Sequence, residues 1–397
     1  MLPPSRRHRA ARVAGAAGML LAVASCSSGT AGSTATTAAP SASVSATATN
    51  PAVQKTVDAA NAFAATLSVD QKDTVSFDWT DTTQKQKWSN FPTVAYPRDG
   101  LKWGDLTEAQ QNAWLAIEQA SLSTEGYNRL LAEWAADDAN ATETGQSNIF
   151  GKQYYYIALI GTPSSTGPWM WQFGGHHVTI NAAVAGGRIS VTPSFVGDQP
   201  ASYTDATGKT VRPLGDIEDE AFALVNSLDA TQKQAAVLGD TPINLVLGPG
   251  EDGKTIAPEG VPLSQLTADQ QVAALKVIGH YTGLVNDTDA AARMDEVKSA
   301  LDQTSFAWYG PTTAGDPAYF RFTGPTLVIE YSPQGAGGGP QGGPPSGAPA
   351  GGPPSGGPQG GGAQDEQGGA AISNATLDHI HGIYRDPTNE YGAKYAS

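Results

Sequence analysis

The stretch Trp169-Met170-Trp171-Gln172-Phe173-Gly174-Gly175-His176-His177-Val178-Thr179-Ile180-Asn181-Ala182-Ala183-Val184 decides how the chain reads. Its flanks are rich in aromatic and β-branched residues, and Gly-Gly-His-His interrupts them. It therefore predicts two strands, Trp169 to Phe173 and Val178 to Val184. Outward from these, Tyr154 to Ile160 and Arg188 to Phe195 also read as strands, and Ala185-Gly186-Gly187 reads as a hairpin turn. Farther upstream, Tyr127, Leu130, Leu131 and Trp134 recur at helical spacing, so helices precede the strands.

The same pattern returns later in the chain. Gly161, Pro168, Phe173, Gly175 and Ile180 recur at one constant offset as Gly310, Pro317, Phe322, Gly324 and Ile329. Four helix starts repeat in order as well: Ser68 with Gln71, Thr107 with Gln110, Asp229 with Gln232, and Thr267 with Gln270. Each pairs an N-cap residue with Gln three places on, the pattern that satisfies orphan amides at a helix start. Ile217, Ala221, Leu224 and Leu228 give the second helical stripe, and the matching strands are Ser305 to Tyr309, Tyr319 to Phe322, Leu327 to Tyr331 and Leu377 to Tyr384. The reading is an α+β fold in two related halves, about 53–205 and 212–397, each of helices followed by a small antiparallel sheet. A disordered Gly/Pro insertion over 334–370 lengthens one hairpin, an expansion whose loop-closure cost grows only logarithmically.

The first 25 residues read as an export signal, with Arg6, Arg7, Arg9 and Arg12 before an apolar run from Val13 to Ala24. Val23-Ala24-Ser25-Cys26 has the form of a bacterial lipobox, so Cys26, the only cysteine, is the expected lipid attachment point. Residues 26–52, mostly Ser, Thr, Ala and Gly, read as a disordered tether, and 53–397 as a single globular domain. The expected location is extracytoplasmic, with the membrane as partner through the lipid. A net charge of −15, from 23 basic and 38 acidic residues, opposes nucleic-acid binding.

Four of six histidines fall in two motifs, Gly174-Gly175-His176-His177 and His379-Ile380-His381. Residues two apart on a strand share a face, so His379 and His381 can hold one ion. Adjacent His176 and His177 should diverge unless the glycines bend the strand. His177 is the favoured ligand, with His176 a second ligand or a supporting group. Glu330 ends an apolar run, and a buried carboxylate calls for a charge partner or a metal, so it completes the expected set. Three imidazoles and a carboxylate suit Zn, Fe, Mn or Cu. Arg385, Asp386 and Asn181 are candidates for orienting the ligands, with an ordinary turn salt bridge as the competing role for the first two. His280 reads as structural. Trp169, Trp171, Trp308 and Tyr309 read as core or pocket wall. There is no Gly-x-Ser-x-Gly elbow, phosphate loop, dinucleotide fingerprint or His-Glu-x-x-His.

Taken together, Trp171 to His177, Ile329-Glu330-Tyr331, His379-Ile380-His381 and Tyr384-Arg385-Asp386-Pro387 resemble the bacterial family called domain of unknown function 3500. Arg98-Asp99-Gly100-Leu101 fits it too. Asn389-Glu390-Tyr391-Gly392 departs from the family's usual Asn-Asp-Tyr-Gly, and the Gly/Pro insertion is a further departure. The resemblance implies exported proteins and supplies no reaction. Three functions follow as expectations: a metal-dependent hydrolase or oxidoreductase, a non-catalytic lipoprotein that binds a metal or small ligand, or a structural protein without metal.

Overall fold

All four capping boxes form. Ser68, Thr107, Asp229 and Thr267 each accept from the backbone of the glutamine three residues on, whose side chain returns to the cap amide. The glutamines then bond in pairs. Gln110 Nε2 donates to Gln71 Oε1 at 2.9 Å and to the Thr66 carbonyl at 3.2 Å. Gln270 Nε2 donates to Gln232 Oε1 at 3.0 Å and to the Ser227 carbonyl at 2.7 Å. One local sequence device thus caps a helix and fixes its packing on the helix before it.

The computed structural model describes residues 50–335 and 369–396. The expected signal peptide, Cys26 and the expected tether up to residue 49 lie outside these, as do residues 336–368 of the expected insertion. In chain order come α1 (Pro51–Ala65), α2 (Val69–Val75), β1 (Ser76–Phe77), α3 (Thr82–Lys85), β2 (Leu101–Lys102), α4 (Glu108–Ser121), α5 (Thr124–Thr144), β3 (Tyr156–Ile160), β4 (Trp169–Gly174), β5 (Thr179–Ala185), β6 (Arg188–Ser190), β7 (Ser194–Asp198), β8 (Tyr203–Thr204) and β9 (Thr210–Val211). There follow α6 (Gly215–Ser227), α7 (Ala230–Ala236), β10 (Val237–Gly239), β11 (Val261–Pro262), α8 (Ala268–Thr282), α9 (Asp287–Lys298), β12 (Ser305–Tyr309), β13 (Tyr319–Gly324), β14 (Leu327–Gly335) and β15 (Ala375–Arg385). The fold is mixed α+β.

Among the described residues, thirteen strands make one mixed sheet and β8 and β9 a second, two-stranded one. The large sheet runs β1-β3-β4-β5-β7-β15-β14-β13-β12-β10, with β2, β6 and β11 attached to β3, β5 and β12. β1 pairs parallel with β3, as β10 does with β12; the other pairs are antiparallel. At the middle, β7 meets β15 with Asp198 opposite Ile380 and Gly197 opposite His381.

Strand alternation gives the sheet two covered faces. On one, Trp171, Ile180, Val196, Ile329, Tyr331 and Ile380 pack with Trp114, Ile117, Leu224 and Val277 of the helices in the main core. On the other, Ile160, Met170, Ala183, Phe195 and Ile383 pack with Trp88 and Tyr391 from loops. Trp169, Trp171 and Trp308 are fully buried, so they are core.

Three boundaries differ from the sequence reading. Asn50 caps α1, and Pro at the first helical position suits the missing N–H, so residues 51–52 are helical and not tether. Arg188 to Phe195 is two strands: β6 closes a hairpin on β5 through Gly186 and Gly187, both at positive φ, and Pro193, which cannot donate to a ladder, separates it from β7. The insertion's edges are ordered. Gln334 and Gly335 extend β14, and the Ala370 carbonyl accepts from the Asn244 amide at 2.9 Å.

Candidate metal centre

The link between β4 and β5 is a tight turn in which the Gly175 amide donates to the Val178 carbonyl at 3.0 Å. A Cβ on Gly175 would lie 2.5 Å from the Tyr155 ring, so only glycine lets the chain pass there. The carbonyls are held from outside the turn: Arg98 Nη2 donates to Gly175 at 2.7 Å, and the Tyr155 hydroxyl to His176. His177 has φ +71°, a left-handed conformation uncommon for residues other than glycine. The bend puts both imidazoles on one side, with ring centroids 3.5 Å apart.

The second motif lies on the central strand β15. His379 and His381 face the loop side of the sheet, as does Ile383, while Ile380 and Tyr384 face the helices. His379 Nε2 is 3.0 Å from His381 Nε2 and 2.9 Å from His177 Nε2. One imidazole nitrogen offers either one proton or one lone pair. His379 therefore cannot make both contacts as full hydrogen bonds, whereas an electron-pair acceptor among the three nitrogens would satisfy all of them. Two imidazoles each about 2.0–2.1 Å from one tetrahedral zinc ion have nitrogens roughly 3.3 Å apart. The observed 2.9 and 3.0 Å are a few tenths of an ångström shorter, so a small outward movement of the rings would admit an ion.

Burial keeps these imidazoles neutral. It pushes His379 down to about 3, aided by His176, and holds His177 and His381 well below the usual range, aided by the neighbouring histidines. Neutral imidazole is the ligating form. The ligand atoms of His177, His379 and His381 all lie within 4.8 Å of one another, as do those of Asp137, His176 and His177. Either group could hold an ion.

His176 takes a separate position. Its Nδ1 is 2.7 Å from Asp137 Oδ1 on α5, and the other Asp137 oxygen accepts from the Gly151 amide at 2.9 Å. Phe150 lies against the His176 ring at 4.8 Å. The carboxylate fixes this imidazole's tautomer and orientation beside His177. Asn90 Nδ2 is a weak neighbour of His381, 3.4 Å from its Nδ1.

The register of β14 on β15 sets Glu330 opposite Ile383 and Ser332 opposite His381. Glu330 faces the histidine side of the sheet but is not in the cluster. Its oxygens accept from the Val246 and Leu247 amides and the Tyr319 hydroxyl, each at 2.7 Å. The expectation of a metal ligand is corrected for a physical reason: two backbone amides and a phenol satisfy a buried carboxylate without an ion. Asn181 accepts from Gln172 at 2.7 Å and donates to the Pro193 carbonyl at 2.9 Å, so it ties strand to turn. Arg385 donates to the Leu247 and Gly248 carbonyls, both at 2.8 Å, and pairs with Asp252 and Glu390. Asp386 accepts from the Thr388 amide and hydroxyl. These three do not orient the imidazoles. Their role is to hold loops. His280 bonds Glu220 and Arg129, as a structural histidine should.

The sequence reading missed Asp137 and the role of Tyr155, and it met Arg98 only through the resemblance. Asp137 carried a signal: it continues the buried α5 stripe of Leu130, Trp134 and Ala141, where an acid needs a partner.

A family model described as "Protein of unknown function (DUF3500)" matches residues 49–393, nearly the whole chain. The chain belongs to this family. The match spans the histidine turn, β15 and the closing Asn389-Glu390-Tyr391-Gly392 turn alike, so the cluster lies within the family's fold. Comparison with curated proteins and with solved structures gave no match.

Proposed function

We propose that the protein binds one divalent transition-metal ion through His177, His379 and His381, and that it does so outside the cytoplasm on a lipid anchor at Cys26. The convergence of three neutral imidazole Nε2 atoms carries the metal reading. Zn, Fe, Mn and Cu all accept such a donor set. Three protein donors fill three positions of a tetrahedral ion and leave the fourth to a ligand from outside the set. A bound ion would supply Lewis-acid chemistry, polarising an oxygen presented to it.

The Asp137–His176 pair favours hydrolysis over simple capture. An imidazole oriented by a buried carboxylate and lying against the ring of a proposed ligand is placed to take and return a proton. In this reading His176 is the general base, Asp137 holds its tautomer, and Arg98 and Tyr155 fix the turn that presents it. A pure carrier has no need of the pair. We also read the repeated cap network and strand pairings as an ancient duplication, with the site built on the first half's turn and the second half's last strand. Labelling of the exported chain with a radioactive fatty acid, lost in Cys26→Ser, tests the anchor. An esterase screen of metal-loaded protein tests hydrolysis: His176→Ala should lower activity at least a hundredfold with metal content kept, and equal activity would remove the base assignment.

A further inference from the structure

On the opposite face of β15 lies a cavity of about 460 Å³ between β7, β14, β15 and the start of α6. Asp378 and Ile380 line it, the residues that alternate with His379 and His381, so the two sites stand back to back across one strand. Asp198, opposite Ile380, is fully buried, lines the cavity, and neither of its oxygens accepts a hydrogen bond of ordinary geometry. The Tyr331 hydroxyl, also on the wall, is buried and unpartnered. Arg212 bonds both Glu218 and Asp219, at 3.0 and 2.9 Å, so its one charge is already shared, and among the described residues Asp198 and Asp378 have no salt-bridge partner. Leu214, Ile380 and the Tyr331 ring give apolar walls.

We propose that this cavity binds a small organic ammonium compound, its cation against Asp198 and its hydrocarbon part against Leu214, Ile380 and the Tyr331 ring. A buried carboxylate without a partner is costly, and a cation is the group that relieves it. Burial holds the Asp198 carboxyl well above the ordinary range despite the Leu214 amide and Arg212 nearby. A bare metal ion fits less well, because among the described residues no set of three or more His, Asp or Glu side chains that includes Asp198 or Asp378 brings its ligand atoms within 4.8 Å of one another. The volume is in the range of small-molecule pockets, and an aromatic wall adds a cation–π surface.

The test is calorimetric titration of the whole chain with three compounds of one shape: benzylammonium, benzyl alcohol and benzoate. Benzylammonium should bind at one site at least tenfold more tightly than the alcohol, with benzoate weakest. Asp198→Asn, nearly isosteric, should erase that preference without lowering the melting temperature, and Asp378→Asn, at the exposed rim, should reduce it severalfold without touching the core. His379→Ala should leave it intact, which separates this site from the metal centre. No binding by the amine, equal binding by the alcohol, or a preference that survives both substitutions would overturn the proposal.

Discussion

His177 combines a left-handed backbone with a side chain that meets His379, and the two properties can be separated. Strain of this kind costs on the order of 1 kcal/mol. Compared without metal, in chelator, His177→Gly should therefore melt no lower than the wild type, while its metal affinity falls by a hundredfold or more, measured by unfolding and by metal titration. Glu330→Gln should behave in the opposite way. It weakens bonds to two amides and a phenol, costing about 1.5–3 kcal/mol, and leaves metal content unchanged. Glu118 provides a test by pH. It is fully buried on α4, accepts from Trp114 Nε1 at 2.7 Å, and burial raises it from 4.5 to about 8. The folded state then holds a proton that the unfolded state releases above 4.5, so stability falls as pH rises from 4.5 to about 8. Glu118→Gln should flatten that slope and stabilise the protein at pH 8 by a few kcal/mol, at roughly 1.4 kcal/mol for each pKa unit. At this scale the sequence disclosed the histidines because they are few. It misplaced Glu330 because composition cannot show that backbone amides from a loop some eighty residues away will meet a carboxylate.

Elements were legible where the signal is local. The capping boxes each need only four consecutive residues, and all four formed; Thr107→Ala should cost about 1 kcal/mol by chemical denaturation. The strands on either side of the histidine turn and the Gly186-Gly187 hairpin also follow from short-range preference. The bend at His176 and His177 was legible only as a condition, because the contacts that enforce it, from Arg98 and Tyr155, are distant in sequence. Gly175→Ala would drive a methyl group into the Tyr155 ring. A cost of about 1–3 kcal/mol is expected, with weaker metal binding as the turn shifts. The break between β6 and β7 was missed because the pairing of β7 with β15 compensates for it, a contact across more than 180 residues.

At the scale of the whole molecule, the joining of β7 to β15 makes one sheet from early and late strands of the chain and brings His177 to His379, 202 positions away. No periodicity in the sequence encodes that approach; it is a consequence of which edges remain for pairing after each local meander is built. On the proposed function, a bound metal would act as a clamp. An ion that binds only the folded chain stabilises it by about 4 kcal/mol at a thousandfold excess over Kd, so the melting temperature should rise with metal and fall back with chelator. The most direct test of the central claim is metal analysis of purified chain after separate incubation with Zn, Fe, Mn and Cu and removal of the excess. The wild type should retain one ion per chain, His379→Ala and His381→Ala almost none, and Glu330→Gln one. A wild type that retains none of the four metals, or a His379→Ala that retains as much as the wild type, would contradict the account.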